Sequence, residues 1–208
     1  MTDSLTDSLT DDDLLCFVID LVVGDSAGGN LVTSTTFKAI VSNIRRPDAV
    51  VLSYAALLIQ FYPSPSRLLS LIDPILMFGI LLRCLNAYQD PNYLKTCPRT
   101  IQQELRMTKT LKDIYLSPLL AEADILQHFP KTVIIASDLD PCLDENVQFS
   151  SKLHTAGVDV TLEIMPGMPH GFLGFSSMST ECQLGVDHVT KKIKDLIRSI
   201  KISKNSSD

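Results

Sequence analysis

Short runs of contiguous apolar residues alternate along the chain with longer segments whose apolar positions recur at helical spacing. The apolar run over residues 14–23 predicts a buried strand, and the runs over residues 49–53 and 131–137 predict two more strands. Residues 158–165 alternate between apolar and polar positions, which predicts a fourth strand. Strands that alternate with helices pack as a mostly parallel sheet, because a parallel connection has to cross over between its strands. The pattern therefore predicts an α/β fold.

The polar positions indicate where the helices lie. One helix is expected from the residue after Ser26 to about Ser42, and an amphipathic one over residues 144–157, closed by Gly157. The last helix is expected over residues 186–201, where apolar residues recur every three or four positions. Residues 58–117 have a mostly helical pattern broken by prolines, which predicts a cap-like helical insertion. The other helices are expected to cover both faces of the sheet.

The two ends of the chain have little apolar surface to bury. Residues 1–12 form an acidic, repetitive segment, and residues 204–208 are polar. Segments of this composition do not offset the entropy cost of ordering, so we expect both to be disordered. One domain is then expected over residues 13–203.

Composition excludes several classes of function. The net charge of −6 argues against a general affinity for nucleic acid or anionic membranes. The chain opens with acidic and polar residues rather than a secretory signal, which favours a cytoplasmic setting. The longest unbroken apolar piece, residues 75–82, is too short to span a bilayer. Five cysteines without metal-ligand spacing are expected to be free thiols, with no metal and no cofactor.

The sequence GDSAG, residues 24–28, follows the first predicted strand. Its G-x-S-x-G spacing between a strand and a helix is typical of a nucleophile elbow, with Ser26 as the nucleophile and Asp25 beside it. We expect both Gly24 and Gly28 to be required, since side chains there would collide with the neighbouring strand and helix. The alternative is a glycine-flanked turn without chemistry.

A nucleophilic serine needs a base, and four histidines are candidates. His170 directly follows the fourth predicted strand, at the sheet edge where active sites of this fold class lie. His128, His154 and His188 lie in a loop or within helices, where we expect solvated or capped side chains. His170 is therefore the predicted base.

The carboxylate that orients the base is expected in the loop after the third strand. This loop holds Asp138, Asp140, Asp144 and Glu145. Asp140 precedes a proline, which favours an extended, fixed backbone. Asp144 and Glu145 are expected to begin the next helix, where negative charge is favourable. We therefore predict Asp140 as the acid, in the order Ser26, Asp140, His170.

Longer stretches resemble a known family. The segments GDSAGGNL, SPSRLLSLIDPIL, YLSPLLA, DPCLDENVQFSSKL and MPHGFLGF are similar to the carboxyl-terminal catalytic part of the hormone-sensitive lipases. The resemblance implies a partial α/β-hydrolase fold with the same Ser26, Asp140 and His170, and Ala27 as an amide donor to the oxyanion. It also implies hydrolysis of lipid esters, acylglycerols or cholesteryl esters, and association with lipid droplets.

The sequence departs from this family in two places. Only residues 86–115 occupy the position of a long regulatory insertion, and no HGGG motif, the source of further oxyanion amides, occurs in the chain. We therefore expect a truncated sequence whose first strand is an open apolar edge, able to pair with another chain in an oligomer. Two alternatives to a lipase stay open: a non-catalytic fragment, and an esterase for small aryl or acetyl esters.

Overall fold

A computed structural model describes residues 19–90, 92–93, 100, 102–103 and 112–205. The strands are β1 (Leu21–Asp25), β2 (Ala49–Ser53), β3 (Lys131–Leu139) and β4 (Val160–Pro169). The α-helices are α1 (Ala27–Val41), α2 (Pro65–Leu68), α3 (Phe78–Gln89), α4 (Ala123–Leu126), α5 (Leu143–Thr155) and α6 (Thr180–Asn205). Three 3₁₀ turns complete the described elements: Leu69–Leu71, Pro118–Leu120 and Phe172–Phe175.

The four strands form one parallel sheet in the order β1-β2-β3-β4. Val51 of β2 pairs with Val23 on one side and Val133 on the other. All residues of β2 are buried, which explains its contiguous apolar sequence. Because every strand runs the same way, the carboxyl ends of all four meet at one edge of the sheet, and the loops that follow them can share a site.

Helices cover the two faces of this sheet, as the sequence predicts. Val50 and Leu52 of β2 pack in a cluster with Phe37 of α1 and Phe149 of α5. The alternate residues of β2 pack on the opposite face, in a cluster that includes Leu196 of α6. A two-sided core of this kind holds the strand ends rigidly in place.

Predicted and observed boundaries differ mainly at the ends of elements. β1 begins at Leu21 and ends at Asp25, and residues 14–18 of the first predicted strand lie outside the described residues. β4 continues to Pro169, directly before His170. The described part of residues 58–117 is helical in α2, the turn after it and α3. Ser64 begins α2, where its hydroxyl accepts a hydrogen bond from the amide of Arg67.

Of the residues that were expected to be disordered at the two ends, the structure describes two, residues 204 and 205. Residues 1–12 lie outside the described residues, as do residues 206–208. The prediction of a tail from residue 204 was wrong at its start, because α6 runs to Asn205. Lys204 donates a hydrogen bond to Asp48 at 2.8 Å, which holds this last turn against the domain.

An open edge of the described sheet lies at β1, where the sequence predicted it. Within the described sheet β1 pairs with β2 alone, and its Val22 and Val23 are 37% and 45% exposed. Among the helices that the structure describes, none combines the length and apolar character needed to cross a membrane.

Candidate active site

Ser26 lies in the tight turn between β1 and α1. Its φ of +50° is unusual for a residue with a side chain and marks a strained backbone. A Cβ on Gly24 would lie 2.5 Å from the carbonyl oxygen of Gly28, so this glycine is required. The same requirement predicted for Gly28 was wrong, because a Cβ there would meet only Asp25 Oδ1, at 3.7 Å. The second close approach is at Gly29, whose added Cβ would lie 2.5 Å from that of Ala55.

Ser26, His170 and Asp140, which the sequence singled out, form one continuous chain of hydrogen bonds. Ser26 Oγ lies 2.8 Å from His170 Nε2, and His170 Nδ1 lies 2.9 Å from Asp140 Oδ2. The geometry fits an imidazole that donates from Nδ1 to the carboxylate and accepts the serine proton at Nε2. The three residues are 114 and 30 positions apart in their order along the chain, yet three strand ends bring them together.

The environment of His170 makes its imidazole a stronger base. Burial acts to lower the pKa of this imidazole, but the hydrogen bond and the negative charge of Asp140 outweigh it, so the pKa lies above its ordinary value. Asp140 is fully buried, and its other oxygen accepts a hydrogen bond from the amide of Cys142 at 2.6 Å. The carboxylate is thus fixed on both sides, as a group that orients a histidine should be.

The other acids of the same loop have separate partners. Asp138 accepts a hydrogen bond from the amide of Gly167 at 2.7 Å, across the ends of β3 and β4. Asp144 accepts one from the amide of Ser66 at 2.8 Å. Both Asp144 and Glu145 lie in the first turn of α5, as predicted.

Glu145 also takes part in a buried ion pair that local sequence patterns do not reveal. Its carboxylate pairs with the guanidinium of Arg67, and both side chains are 3% exposed. Burial raises the pKa of Glu145, and the charge of Arg67 partly offsets this effect. Glu145 also accepts a hydrogen bond from the amide of Leu57 at 2.8 Å. Glu145 on α5 therefore holds both Arg67 of α2 and Leu57 of the segment after β2.

The remaining histidines have other surroundings. His188 on α6 lies 2.5 Å from a carboxylate oxygen of Glu163. The backbone carbonyl of His128 accepts a hydrogen bond from Arg46, and His154 is exposed on α5. Among the described histidines, His170 alone lies within hydrogen-bonding distance of Ser26.

A cavity of about 140 Å³ adjoins Ser26 and His170. Most of its wall is apolar, and it comes from the segment after β2 and from the predicted insertion: Ala56, Ile59, Leu76, Leu81 and Leu85. Asn30, fully buried on α1, donates to the carbonyls of Ala56 at 2.7 Å and Leu116 at 2.9 Å. It also accepts a hydrogen bond from Tyr88 of α3 at 3.1 Å. Asn30 therefore fixes the cavity wall to the helix that begins at the elbow.

One group of possible metal ligands lies at the same place. Single ligand atoms of Asp140, Cys142 and His170 lie within 4.8 Å of one another. Asp140 and His170 already bind each other, and burial raises the pKa of the Cys142 thiol well above its ordinary value. A protonated thiol is a poor metal ligand, so the group fits a hydrogen-bonded dyad better than a metal site. Of the other cysteines, Cys84 and Cys182 are free thiols, and Cys16 and Cys97 lie outside the described residues.

Comparison with known proteins places this arrangement in a family. This chain is 45% identical to the hormone-sensitive lipase of Ictidomys tridecemlineatus over 67 residues. The match covers 32% of this chain and 9% of the lipase. It is 26% identical to neutral cholesterol ester hydrolase 1 of Mus musculus over 86% of this chain and 54% of that protein. The chain thus spans about half the length of the latter relative.

Solved structures show the same fold. A Pyrobaculum calidifontis esterase matches with a TM-score of 0.66 and 26% identity, over 85% of this chain and 52% of that one. Carboxyl esterase 2 of Tuber melanosporum matches with a TM-score of 0.68 and 22% identity, over 84% of this chain and 53% of that one. The family model for the alpha/beta hydrolase fold matches residues 20–174. This chain therefore belongs to the alpha/beta hydrolase fold family.

Proposed function

We propose that this chain hydrolyses carboxylic esters of lipids, with Ser26 as nucleophile, His170 as base and Asp140 as the residue that orients the base. The observation that carries the proposal is the unbroken hydrogen-bond chain from Ser26 through His170 to Asp140, which opens on an apolar cavity. This constellation activates a serine hydroxyl for acyl transfer.

The reaction follows from the positions of the groups. Ser26 Oγ attacks the ester carbonyl while His170 Nε2 takes its proton, and Asp140 stabilises the imidazolium that forms. The amide of Ala27, at the start of α1, is the chain's donor to the oxyanion. Collapse of the tetrahedral intermediate expels the alcohol, which receives its proton from His170. Water then attacks the acyl-enzyme by the same steps and releases the acid.

The cavity supports an apolar acyl chain as the occupant. Four apolar wall residues belong to the predicted cap-like insertion over residues 58–117: Ile59, Leu76, Leu81 and Leu85. The names of two relatives, a lipase and a cholesterol ester hydrolase, point to acylglycerols or cholesteryl esters as substrates. With such substrates, the chain would act in the cytoplasm at the surface of lipid droplets.

A second candidate is hydrolysis of short esters. A volume of about 140 Å³ is small for a long acyl chain, and the solved relatives are described as esterases. Turnover of nitrophenyl esters of increasing acyl length separates the two. A rate that rises with acyl length supports the lipase, and one that falls sharply with acyl length supports the esterase.

Labelling with a fluorophosphonate tests the chemistry itself. The sequence holds no HGGG motif, and each missing oxyanion donor costs about 100- to 1000-fold in rate, so a single-turnover probe is more sensitive than steady-state hydrolysis. We expect an adduct on Ser26 that Ser26→Ala and His170→Ala abolish. Ser151→Ala and His154→Ala, at exposed positions on α5, are the matched controls and should label normally. A folded chain that gains no adduct would instead be the non-catalytic fragment.

A further inference from the structure

Tyr54, a residue that sequence patterns did not indicate, contacts both ends of the candidate site. It directly follows β2 and has a φ of +38°, a left-handed conformation that is rare for a bulky side chain. Its amide donates to the carbonyl of Ile135 at 2.7 Å. On either side of it, Ser53 accepts a hydrogen bond from the Ser26 amide at 2.9 Å and Ala56 donates one to the Ser26 carbonyl at 3.0 Å. The turn at Tyr54 is thus bonded to the backbone of the nucleophile.

The ring of Tyr54 packs against the base. Its centroid lies 5.1 Å from that of His170, with an angle of 62° between the planes, and 5.2 Å from that of Phe172, at 69°. These are edge-to-face contacts, and Tyr54 is fully buried. The ring therefore fills the space between His170 and Phe172 and restricts rotation of the imidazole.

The hydroxyl of Tyr54 reaches the nucleophile elbow. It donates a hydrogen bond to Asp25 Oδ2 at 3.2 Å, next to Ser26 in the chain. Burial and the Asp25 carboxylate both raise the pKa of this phenol, so the hydroxyl keeps its proton and remains a donor. The side chain of Tyr54 thus links Asp25, next to the nucleophile, to His170, which lies 144 positions after Ser26 in the chain.

We propose that Tyr54 is a positioning residue that sets the distance and angle between Ser26 and His170. The inference rests on the proposed hydrolysis, in which the proton must pass from Ser26 Oγ to His170 Nε2. Removal of the ring leaves Ser26, His170 and Asp140 in the chain but lets the imidazole rotate. The predicted loss is therefore in the chemical step rather than in substrate binding.

The test compares Tyr54→Leu with Tyr54→Phe. For Tyr54→Leu we expect kcat and the rate of Ser26 labelling to fall about tenfold, with KM changed less than about twofold. Tyr54→Phe keeps the ring and should recover most of this loss. Phe149→Leu removes a fully buried ring from the core on the α5 side and is the matched control, with unchanged labelling. Should Tyr54→Leu fail to fold, Tyr54→Asn removes the ring while tolerating the left-handed backbone.

The titration of His170, followed by NMR, supplies a measurement that needs no turnover. The charged groups that act on this imidazole are Asp140, Asp73 and Glu145, and all are unchanged in the variants. The contact with Asp140 holds the pKa of His170 above its ordinary value. Without the ring, the imidazole rotates away from Asp140 and water reaches it, so its pKa should fall toward the ordinary value. Equal labelling rates and an unchanged His170 pKa in the ring-free variants would overturn the positioning role. A wild-type chain without a Ser26 adduct would count against the hydrolysis, and the titration would still decide the role of Tyr54.

Discussion

Replacing Arg67 by methionine is expected to destabilise the fold by about 3–5 kcal/mol, because the Glu145 carboxylate then stays buried without its counter-charge. Both side chains are 3% exposed, so solvent cannot take the place of Arg67. The amide of Leu57 remains as a donor to Glu145, but one neutral hydrogen bond contributes only about 1–3 kcal/mol toward a buried charge.

The second part of this prediction concerns the double variant. Arg67→Met with Glu145→Gln removes both charges and retains an acceptor for the Leu57 amide. We expect its stability to lie within about 1.5 kcal/mol of the wild type. The single change Glu145→Gln leaves a buried guanidinium without its carboxylate and should also be strongly destabilising. The cycle therefore predicts a large coupling between two residues 78 positions apart.

The pH dependence gives the sign of the effect. Burial already raises the pKa of Glu145, and loss of the Arg67 charge raises it further. A carboxyl whose pKa is higher in the folded than in the unfolded state lowers stability as the pH rises between those two values. The deficit of Arg67→Met should thus be smaller near pH 5 than near pH 8.

Urea unfolding followed by circular dichroism, at both pH values, measures these differences. Arg67→Met within about 1 kcal/mol of the wild type, or a double variant as unstable as the single one, would refute the reasoning. Arg198→Met is the matched control, since its pair with Asp195 is exposed and should contribute little.

Two further predictions concern the elbow and the dyad. Gly24→Ala should lower the melting temperature and slow fluorophosphonate labelling, because the added Cβ would lie 2.5 Å from the Gly28 carbonyl oxygen. Gly28→Ala should leave the melting temperature and the labelling rate unchanged. Equal effects of the two substitutions would contradict the geometry of the turn. Asp140→Asn should reduce kcat/KM by about 10⁴-fold. It also removes the charge that raises the pKa of His170, so the acidic limb of the pH–rate profile should shift to lower pH. A shift to higher pH would show that Asp140 does not set this pKa.

The sequence indicated all four strands because apolar residues run contiguously or alternate along each of them. β2 is buried on both faces, so its apolar residues are contiguous, and the prediction over residues 49–53 matches it. The strand ends also located Ser26 and His170, since parallel strands place their carboxyl ends at one edge. Element ends were less accurate because they depend on tertiary contacts, as the bond from Lys204 to Asp48 shows for α6.

The tertiary structure alone decided which distant side chains meet. Tyr54, Arg67 and Asn30 carry no local pattern that distinguishes them from other polar or aromatic residues, and their partners lie on other elements. The tertiary structure also showed that the second glycine required by a close contact is Gly29 and not Gly28, because Gly29 packs against Ala55 across the turn. Periodicity in a sequence records which face of an element is buried, whereas a contact between elements depends on how they are oriented in three dimensions. For this chain, the first determined the sheet and the candidate residues, and the second determined the geometry of the site.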